Sequence, residues 1–176
     1  MRSGTLPRRA CLFIGAAVLA GCATRPPAEP DMPWVSGHLT VRMDGGADTP
    51  ARSVTGLFDL RGDARSGELR LSSPLGTLMA TLQWSPGAAR LRNGDGEATF
   101  ADLDELSRQV IGEPLPLQAL PDWLAGRPWP GAASTVTAAG FEQMGWRVGL
   151  ARWADGLIDA ERAAAPSVRL RLRLDR

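Results

Sequence analysis

The alternation of hydrophobic and polar residues predicts a chain built mostly of β-strands. Every second position of residues 35–43 is apolar or glycine, and this period of two is typical of a strand with one buried face. Asn93-Gly94 is a strong hairpin signal between two short strands. Further strands are predicted at residues 54–60, 68–72, 78–84, 89–92, 97–100, 135–137, 146–153 and 168–174.

Two predicted helices interrupt the strands. The first begins with a capping box formed by Asp102 and Glu105, and it ends at Gly112. The second runs from Leu117 to Leu124. This order of elements predicts a mainly β fold of the α+β type, in which helices lie over one opening of a curved antiparallel sheet. The pattern leaves open whether the space between them is a packed core or a hydrophobic cavity.

The amino terminus has the features of a lipoprotein signal peptide. Three arginines precede the apolar run 11–20, and small residues at positions 20 and 21 lead directly to Cys22. The run is too short to cross a bilayer, which takes about 20 apolar residues. We therefore predict that residues 1–21 are removed and that the thiolate of Cys22 is acylated.

The residues after this cleavage point divide into a tether and one domain. Residues 22–33 are predicted to be a lipidated N-terminus and flexible linker, because prolines recur there without apolar periodicity. A single domain is expected over residues 34–176. Each buried methylene of an acyl chain contributes about 0.8 kcal/mol, so several chains hold a protein on a membrane. We expect the domain to face the periplasm from such an anchor.

Composition narrows the possible functions. The chain has 20 basic residues, all of them Arg, and 19 acidic residues, which gives a formal net charge of +1. Three of the arginines lie in the predicted signal peptide, so acidic residues outnumber arginines in the mature chain. This charge does not indicate nucleic acid binding. Cys11 also lies in the signal peptide and Cys22 is the predicted acylation site, which excludes a disulfide or a cysteine metal site in the folded part.

The sequence does not indicate an enzyme. His38 lies two residues from Ser36 on a predicted strand, but no Gly-x-Ser-x-Gly elbow accompanies the pair, and we interpret His38 as a solvent-facing histidine. The carboxylates of Asp102, Asp104 and Glu105 are interpreted as groups that complement the dipole of a helix start. No catalytic residue, metal site or cofactor is predicted.

Three segments of the mature chain carry motifs of one known family. They are Ser72-Ser-Pro-Leu-Gly-Thr-Leu-Met-Ala-Thr-Leu82, Gly112-Glu-Pro-Leu-Pro-Leu-Gln-Ala-Leu-Pro-Asp-Trp-Leu-Ala-Gly-Arg-Pro128 and Phe141-Glu-Gln-Met-Gly-Trp-Arg-Val148. In these motifs and their order the chain resembles the family of the outer-membrane lipoprotein receptor LolB. The middle segment is the most specific of the three.

The resemblance implies a function and a fold. Such receptors accept acylated lipoproteins from the soluble periplasmic carrier LolA and insert them into the outer membrane bilayer. The implied fold is an open antiparallel half-barrel with a helical lid over a hydrophobic cavity, and we expect a monomer. In the family, the Leu of a Pro-Leu-Gly loop protrudes and places cargo in the membrane. The matching residues here are Pro74, Leu75 and Gly76.

The acyl cavity is expected to be lined by apolar residues of the predicted sheet and helices. These are Leu39, Val41, Phe58, Leu60, Leu69, Leu71, Leu78, Leu82, Leu106, Val110, Leu120, Trp123, Leu124, Trp146, Val148 and Leu150. Two other functions stay open at this point. One is a structural envelope lipoprotein with a filled core, and the other is a half-barrel carrier of free lipid.

Overall fold

The computed structural model describes residues 32–45, 50–111 and 115–176. The predicted signal peptide, Cys22 and the predicted linker as far as residue 31 lie outside the described residues. So does residue 112, where the first helix was predicted to end. The domain predicted over residues 34–176 is described apart from the two internal gaps.

An open antiparallel sheet forms most of the fold, as the sequence predicted. Within the described residues the sheet has eleven strands in the order β6-β5-β4-β3-β2-β1-β11-β10-β9-β8-β7. The last strand pairs with the first, and β6 and β7 form the two edges of the described sheet. The strands are β1 (Val35–Met43), β2 (Arg52–Gly62), β3 (Gly67–Ser72), β4 (Leu78–Ser85), β5 (Ala88–Asn93), β6 (Gly96–Phe100), β7 (Ser134–Thr137), β8 (Gly140–Gln143), β9 (Trp146–Gly149), β10 (Leu157–Arg162) and β11 (Val168–Leu174).

Helix α1 (Leu103–Ile111) follows β6 and packs against β5 and β6. Asp102 caps this helix as predicted, since Asp102 Oδ1 accepts a 2.7 Å hydrogen bond from the Glu105 backbone N–H. The reciprocal bond of the predicted capping box is displaced by one residue, because the Glu105 carboxylate accepts a 2.7 Å hydrogen bond from the Ala101 N–H. Both bonds satisfy amides that have no partner inside the helix.

The second predicted helix is divided into two parts. A 3₁₀ turn (Leu117–Ala119) leads into helix α2 (Leu120–Leu124). Pro121 has no N–H, so it makes no α-helical bond to the Leu117 carbonyl. That carbonyl instead accepts the N–H of Leu120, three residues on, which is the 3₁₀ pattern. We refer to residues 115–124 as the lid.

The prediction for residues 146–153 was wrong beyond Gly149. The Leu150 N–H bonds to the Ala139 carbonyl at 2.7 Å, and the chain then turns through a 3₁₀ segment (Trp153–Asp155) so that β10 can pair with β9. Strands β8 and β10 were missed. β8 has only four residues and joins β9 through a turn at Met144 and Gly145, both with positive φ.

The two faces of the sheet differ in polarity. Alternate residues of β2 and β11 are buried on the inner face, which the helices cover. Arginines of β11 lie on the outer face, where Arg171 pairs with Asp159 at 2.6 Å and Arg169 with Glu161 at 3.1 Å. Among the described residues, no helix has the length and hydropathy needed to cross a bilayer.

A charged cluster on the outer face fixes the beginning of the domain. The buried carboxylate of Glu68 accepts hydrogen bonds from Arg61 at 2.8 Å and from Arg70 at 2.7 Å. Both guanidinium groups lie over the ring of Trp34, at 4.6 and 4.4 Å from its centroid. Burial raises the pKa of Glu68, but the hydrogen bonds and charges of the two arginines outweigh it, and the pKa lies below its ordinary value.

Candidate functional site: an apolar cavity beneath the lid

A cavity of about 200 Å³ lies between the lid and the inner face of the sheet. Its walls come from β1, β2, β3, β4, β11 and the lid, which shows that the sheet curves around it. Apart from Ser72, the lining residues are apolar: Leu39, Val41, Met43, Val54, Gly56, Leu57, Phe58, Leu60, Leu69, Leu71, Met79, Leu82, Leu115, Pro116, Leu117, Leu120, Leu124, Leu170 and Leu172. Such a lining fits hydrocarbon rather than a polar ligand.

The cavity reaches the protein surface at one end of β2 and β4. Val54 and Met79 line the cavity and are nevertheless 50% and 42% exposed. Gly56 follows Val54 on the same face of β2, and a Cβ there would come within 2.4 Å of the Ser72 carbonyl oxygen and 3.7 Å of Met79 Cε. Glycine therefore lets β2 and β3 pair closely at this point. We refer to the opening at Val54 and Met79 as the mouth.

Leu75 lies at the tip of the loop between β3 and β4, and it is 95% exposed. The loop is closed by hydrogen bonds of 2.8 Å from the Gly76 N–H to the Ser73 carbonyl and from the Ser73 N–H to the Thr77 carbonyl. Gly76 has a φ of +84°, a conformation that glycine adopts without strain. The loop thus holds a large apolar side chain in solvent, where burial elsewhere would gain about 1.5–3 kcal/mol.

The lid is attached to the sheet through Trp123 and Gln143. Both side chains are buried, and Trp123 Nε1 donates a 2.9 Å hydrogen bond to Gln143 Oε1. Gln143 Oε1 also accepts the Trp129 N–H, and Gln143 Nε2 donates to the carbonyls of Trp129 and Ala132. These four bonds use the full capacity of the amide.

Two further contacts hold the ends of the lid. Trp153 Nε1 donates a 3.0 Å hydrogen bond to the Leu124 carbonyl at the end of α2. At the other end, the buried Ser107 hydroxyl accepts the Leu115 N–H at 3.3 Å and donates to the Asp104 carbonyl at 3.1 Å. The hydroxyl thereby joins α1 to the first described residue of the lid.

The structure brings most of the predicted lining residues together around the cavity. Those that line it are Leu39, Val41, Phe58, Leu60, Leu69, Leu71, Leu82, Leu120 and Leu124. The others lie elsewhere. Trp123, Trp146 and Val148 are buried beside the cavity. The ring centroid of Trp123 lies 6.1 Å from that of Phe141 and 6.2 Å from that of Trp146.

The remaining predicted lining residues lie outside the cavity for different reasons. Leu106 lies on the buried side of α1, whereas Val110 of the same helix is about half exposed. Leu78 is 57% exposed at the start of β4. Leu150 is partly buried in the turn after β9.

Several lining residues were not predicted. Leu170 and Leu172 of β11 line the cavity, and the alternation of that strand already indicated an inner face. Met43 extends the pattern of β1 in the same way. Leu115 and Pro116 precede the second predicted helix, and their sequence carries no signal for a cavity wall.

The polar groups considered as catalytic have ordinary structural surroundings. His38 is exposed, with Nε2 3.9 Å from the Asp175 carboxylate. Asp102 and Glu105 bond to backbone amides at the start of α1. Within the part of the chain that the structure describes, no group of His, Cys and carboxylate side chains is arranged to hold a metal ion.

The fold and the cavity together define a class, namely an open antiparallel half-barrel with an apolar cavity under a helical lid. Sequence comparison identifies the family within that class. A sequence model of the family described as outer membrane lipoprotein LolB matches residues 35–176.

Individual relatives agree with the family match. The outer-membrane lipoprotein LolB of Chromobacterium violaceum is 38% identical over 159 residues, which cover 84% of this chain and 84% of the relative. Those of Bordetella petrii and Ralstonia nicotianae are 34% and 32% identical and cover 90% and 94% of this chain, and 86% and 85% of the relatives. The chain therefore belongs to the LolB family of outer-membrane lipoproteins, which confirms the resemblance found in its motifs.

Proposed function

We propose that this chain accepts acylated lipoproteins from the periplasmic carrier LolA and inserts them into the outer membrane, where acyl chains on Cys22 anchor it. The observation that carries the proposal is the cavity of about 200 Å³ with its apolar lining. An acyl chain moved through water exposes methylenes at about 0.8 kcal/mol each. A protein that transfers such chains therefore needs an apolar site.

The size of the cavity bears on how it works. It is larger than a cavity of about 150 Å³ that binds benzene in an engineered protein. It is smaller than pockets of about 300–1,000 Å³ that enclose drug-sized ligands. A complete acyl chain therefore extends through the mouth or displaces the lid. Trp123 and Trp153 hold α2 through hydrogen bonds to Gln143 and the Leu124 carbonyl. We therefore expect movement in residues 115–119, which requires the 3.3 Å hydrogen bond from the Leu115 N–H to Ser107 to break.

Leu75 supports the second step of the proposed function, insertion. A rigid loop with one exposed leucine, held by the Ser73 and Gly76 hydrogen bonds, can enter the apolar edge of a bilayer. The gain of about 1.5–3 kcal/mol on burying that side chain favours contact with the membrane. Transfer then follows increasing affinity for hydrocarbon, from the carrier to this chain and finally to the bilayer.

A transfer experiment tests the proposal. Carrier LolA loaded with radiolabelled lipoprotein is mixed with the mature chain, and the partners are separated after incubation. We expect the label to leave the carrier and to reach liposomes when these are added. If the label stays on LolA at every concentration of the chain, the receptor function is wrong.

The alternative of a structural lipoprotein with a filled core is less well supported, because the side chains of the described residues leave the space under the lid open. A fluorescent fatty acid separates the two functions, since a filled core does not bind it. Competition between this probe and lipoprotein cargo separates the receptor from a carrier of free lipid.

A further inference from the structure

Four large apolar side chains are exposed at the same end of the half-barrel. Leu75 is 95% exposed, Leu78 57%, Val54 50% and Met79 42%. Leu75 lies in the β3–β4 loop, while Leu78 and Met79 begin β4 directly after it. We refer to these four residues as the apolar rim.

An irregularity in β4 brings two of these side chains to the rim. Leu71 pairs with Ala80 and Ser72 pairs with Leu78, so Met79 is an extra residue without a partner in β3. A bulge of this kind changes the direction of side chains at the end of a strand. Here it leaves two consecutive large apolar residues exposed beside the Leu75 loop, where regular alternation would place one of them on each face.

The apolar rim is continuous with the cavity. Val54 and Met79 belong to both, because they line the cavity and form its mouth. Leu78 adjoins Met79 at the start of β4, and the loop that carries Leu75 ends directly before it. Exposed apolar side chains thus continue from the mouth of the cavity toward the loop tip.

A cation borders this surface. Arg52 is exposed at the start of β2, two residues before Val54 and therefore on the same face of the strand. An arginine next to an apolar surface can place its alkyl stem along hydrocarbon while its guanidinium contacts a phosphate. This combination fits the boundary between the headgroups and the acyl chains of a phospholipid bilayer.

We propose that Val54, Leu78 and Met79 enter the bilayer together with Leu75, so that the mouth of the cavity opens directly into the membrane. Acyl chains then pass from the protein to the bilayer without crossing water. This inference rests on the proposed function and adds to it the route of release. It also identifies phospholipid as the binding partner of the apolar rim.

Lipid contact at single positions tests this inference. Cys22 is blocked by acylation under the proposed function, so a cysteine introduced elsewhere is the only reactive thiol of the mature chain. The variants Leu75→Cys, Leu78→Cys and Met79→Cys receive a polarity-sensitive fluorophore and are reconstituted into liposomes whose lipids carry nitroxide quenchers on their acyl chains. The control is Val136→Cys, because Val136 is 83% exposed on the edge strand β7, outside the rim.

We expect quenching at positions 75, 78 and 79 and none at position 136. Quenching at 75 alone would overturn the inference and leave Leu75 as a single probe of the membrane. Quenching at all four positions would also overturn it, because the apolar rim would then have no preference for lipid. The transfer experiment with the wild-type chain, run in parallel, shows separately whether the proposed function holds.

A second measurement uses charge instead of a label. Leu78→Glu and Met79→Glu are expected to slow release of cargo into liposomes by about tenfold each, and Val136→Glu is expected to leave it unchanged. Uptake of cargo from LolA by Leu78→Glu should remain normal, because Leu78 does not line the cavity. Normal release by both rim variants would contradict the proposed route.

Discussion

The indole N–H of Trp123 in the lid donates a buried 2.9 Å hydrogen bond to the side-chain carbonyl of Gln143 in β8. The two residues belong to two of the three segments that carry the family motifs, and they lie 20 positions apart. The bond explains why the two motifs occur together, because one motif forms the lid and the other supplies the polar side chain that holds the lid in place. A lid fixed in this way can cover the cavity, and residues 115–119 can move once the hydrogen bond from the Leu115 N–H to Ser107 breaks.

Replacing Gln143 by leucine should destabilise the domain. The change leaves the Trp123 and Trp129 N–H groups without their acceptor, and a buried group that loses its partner costs about 1–3 kcal/mol. Urea unfolding of Gln143→Leu is expected to show a clearly lower midpoint. The control Gln83→Leu, at an exposed position of β4, should unfold close to the wild type. Equal midpoints for Gln143→Leu and wild type would contradict this role of Gln143.

The Glu68 cluster predicts a specific dependence of stability on pH. Since the pKa of Glu68 in the folded state lies below its ordinary value of 4.5, its contribution is complete above that value and is lost as pH falls through the lowered pKa. Glu68→Gln should lower the free energy of unfolding at neutral pH by about 1.5–3 kcal/mol. It should also reduce the loss of stability on acidification.

The control for this prediction is Glu97→Gln, which breaks an exposed ion pair with Arg90. Surface pairs contribute about 0–1 kcal/mol, so this variant should follow the acid profile of the wild type. Denaturant unfolding at a series of pH values gives the free energy of unfolding of the wild type and both variants. An identical acid profile for Glu68→Gln and wild type would show that Glu68 does not titrate as its surroundings imply.

Leu75→Glu should separate uptake of cargo from its release. Leu75 does not line the cavity, so the variant should accept lipoprotein from LolA as the wild type does. A carboxylate at the loop tip does not enter hydrocarbon, so delivery to liposomes should fail. The two steps are measured with radiolabelled cargo, first without and then with liposomes. Equal loss of both steps would argue against a loop that acts on the membrane.

Filling the cavity should reduce binding of hydrocarbon. Leu71 lines the cavity and is only partly buried, so Leu71→Trp can place its larger ring in the free space at a moderate cost in stability. Leu150→Trp is a matched control, since Leu150 is partly buried outside the cavity. Titration with a fluorescent fatty acid should show weaker binding to the first variant only. Unchanged binding by Leu71→Trp would mean that the probe binds at another place.

Local patterns predicted the strands well where alternation was long, as in β1 and β11, because period two identifies one buried face. β10 was missed because its buried positions are Ile158 and the small Ala160, which give a weak alternation. The Leu75 loop was found from its motif. Its exposure depends on hydrogen bonds within the loop that the sequence does not display.

The difference between a filled and an empty part of the interior was not predictable from alternation. Trp146 and Val148 are buried like Phe58 and Leu60. The ring of Trp123, however, lies next to that of Trp146 and fills the interior there. Over β2 the lid contributes leucines such as Leu117 and Leu120, which leave a cavity. Which of these occurs depends on how segments far apart in the chain pack together, and periodicity carries no information on that.

Photo-crosslinking shows whether the acyl chains of cargo occupy the cavity beneath the lid. A photoreactive amino acid replaces Leu117, which lines the cavity, or Ala98, which is exposed on β6, and each chain is loaded from LolA with lipoprotein whose acyl chains are radiolabelled. We expect labelled adducts at position 117 and none at position 98. Cargo that transfers normally but forms no adduct at position 117 would show that its acyl chains do not enter the cavity.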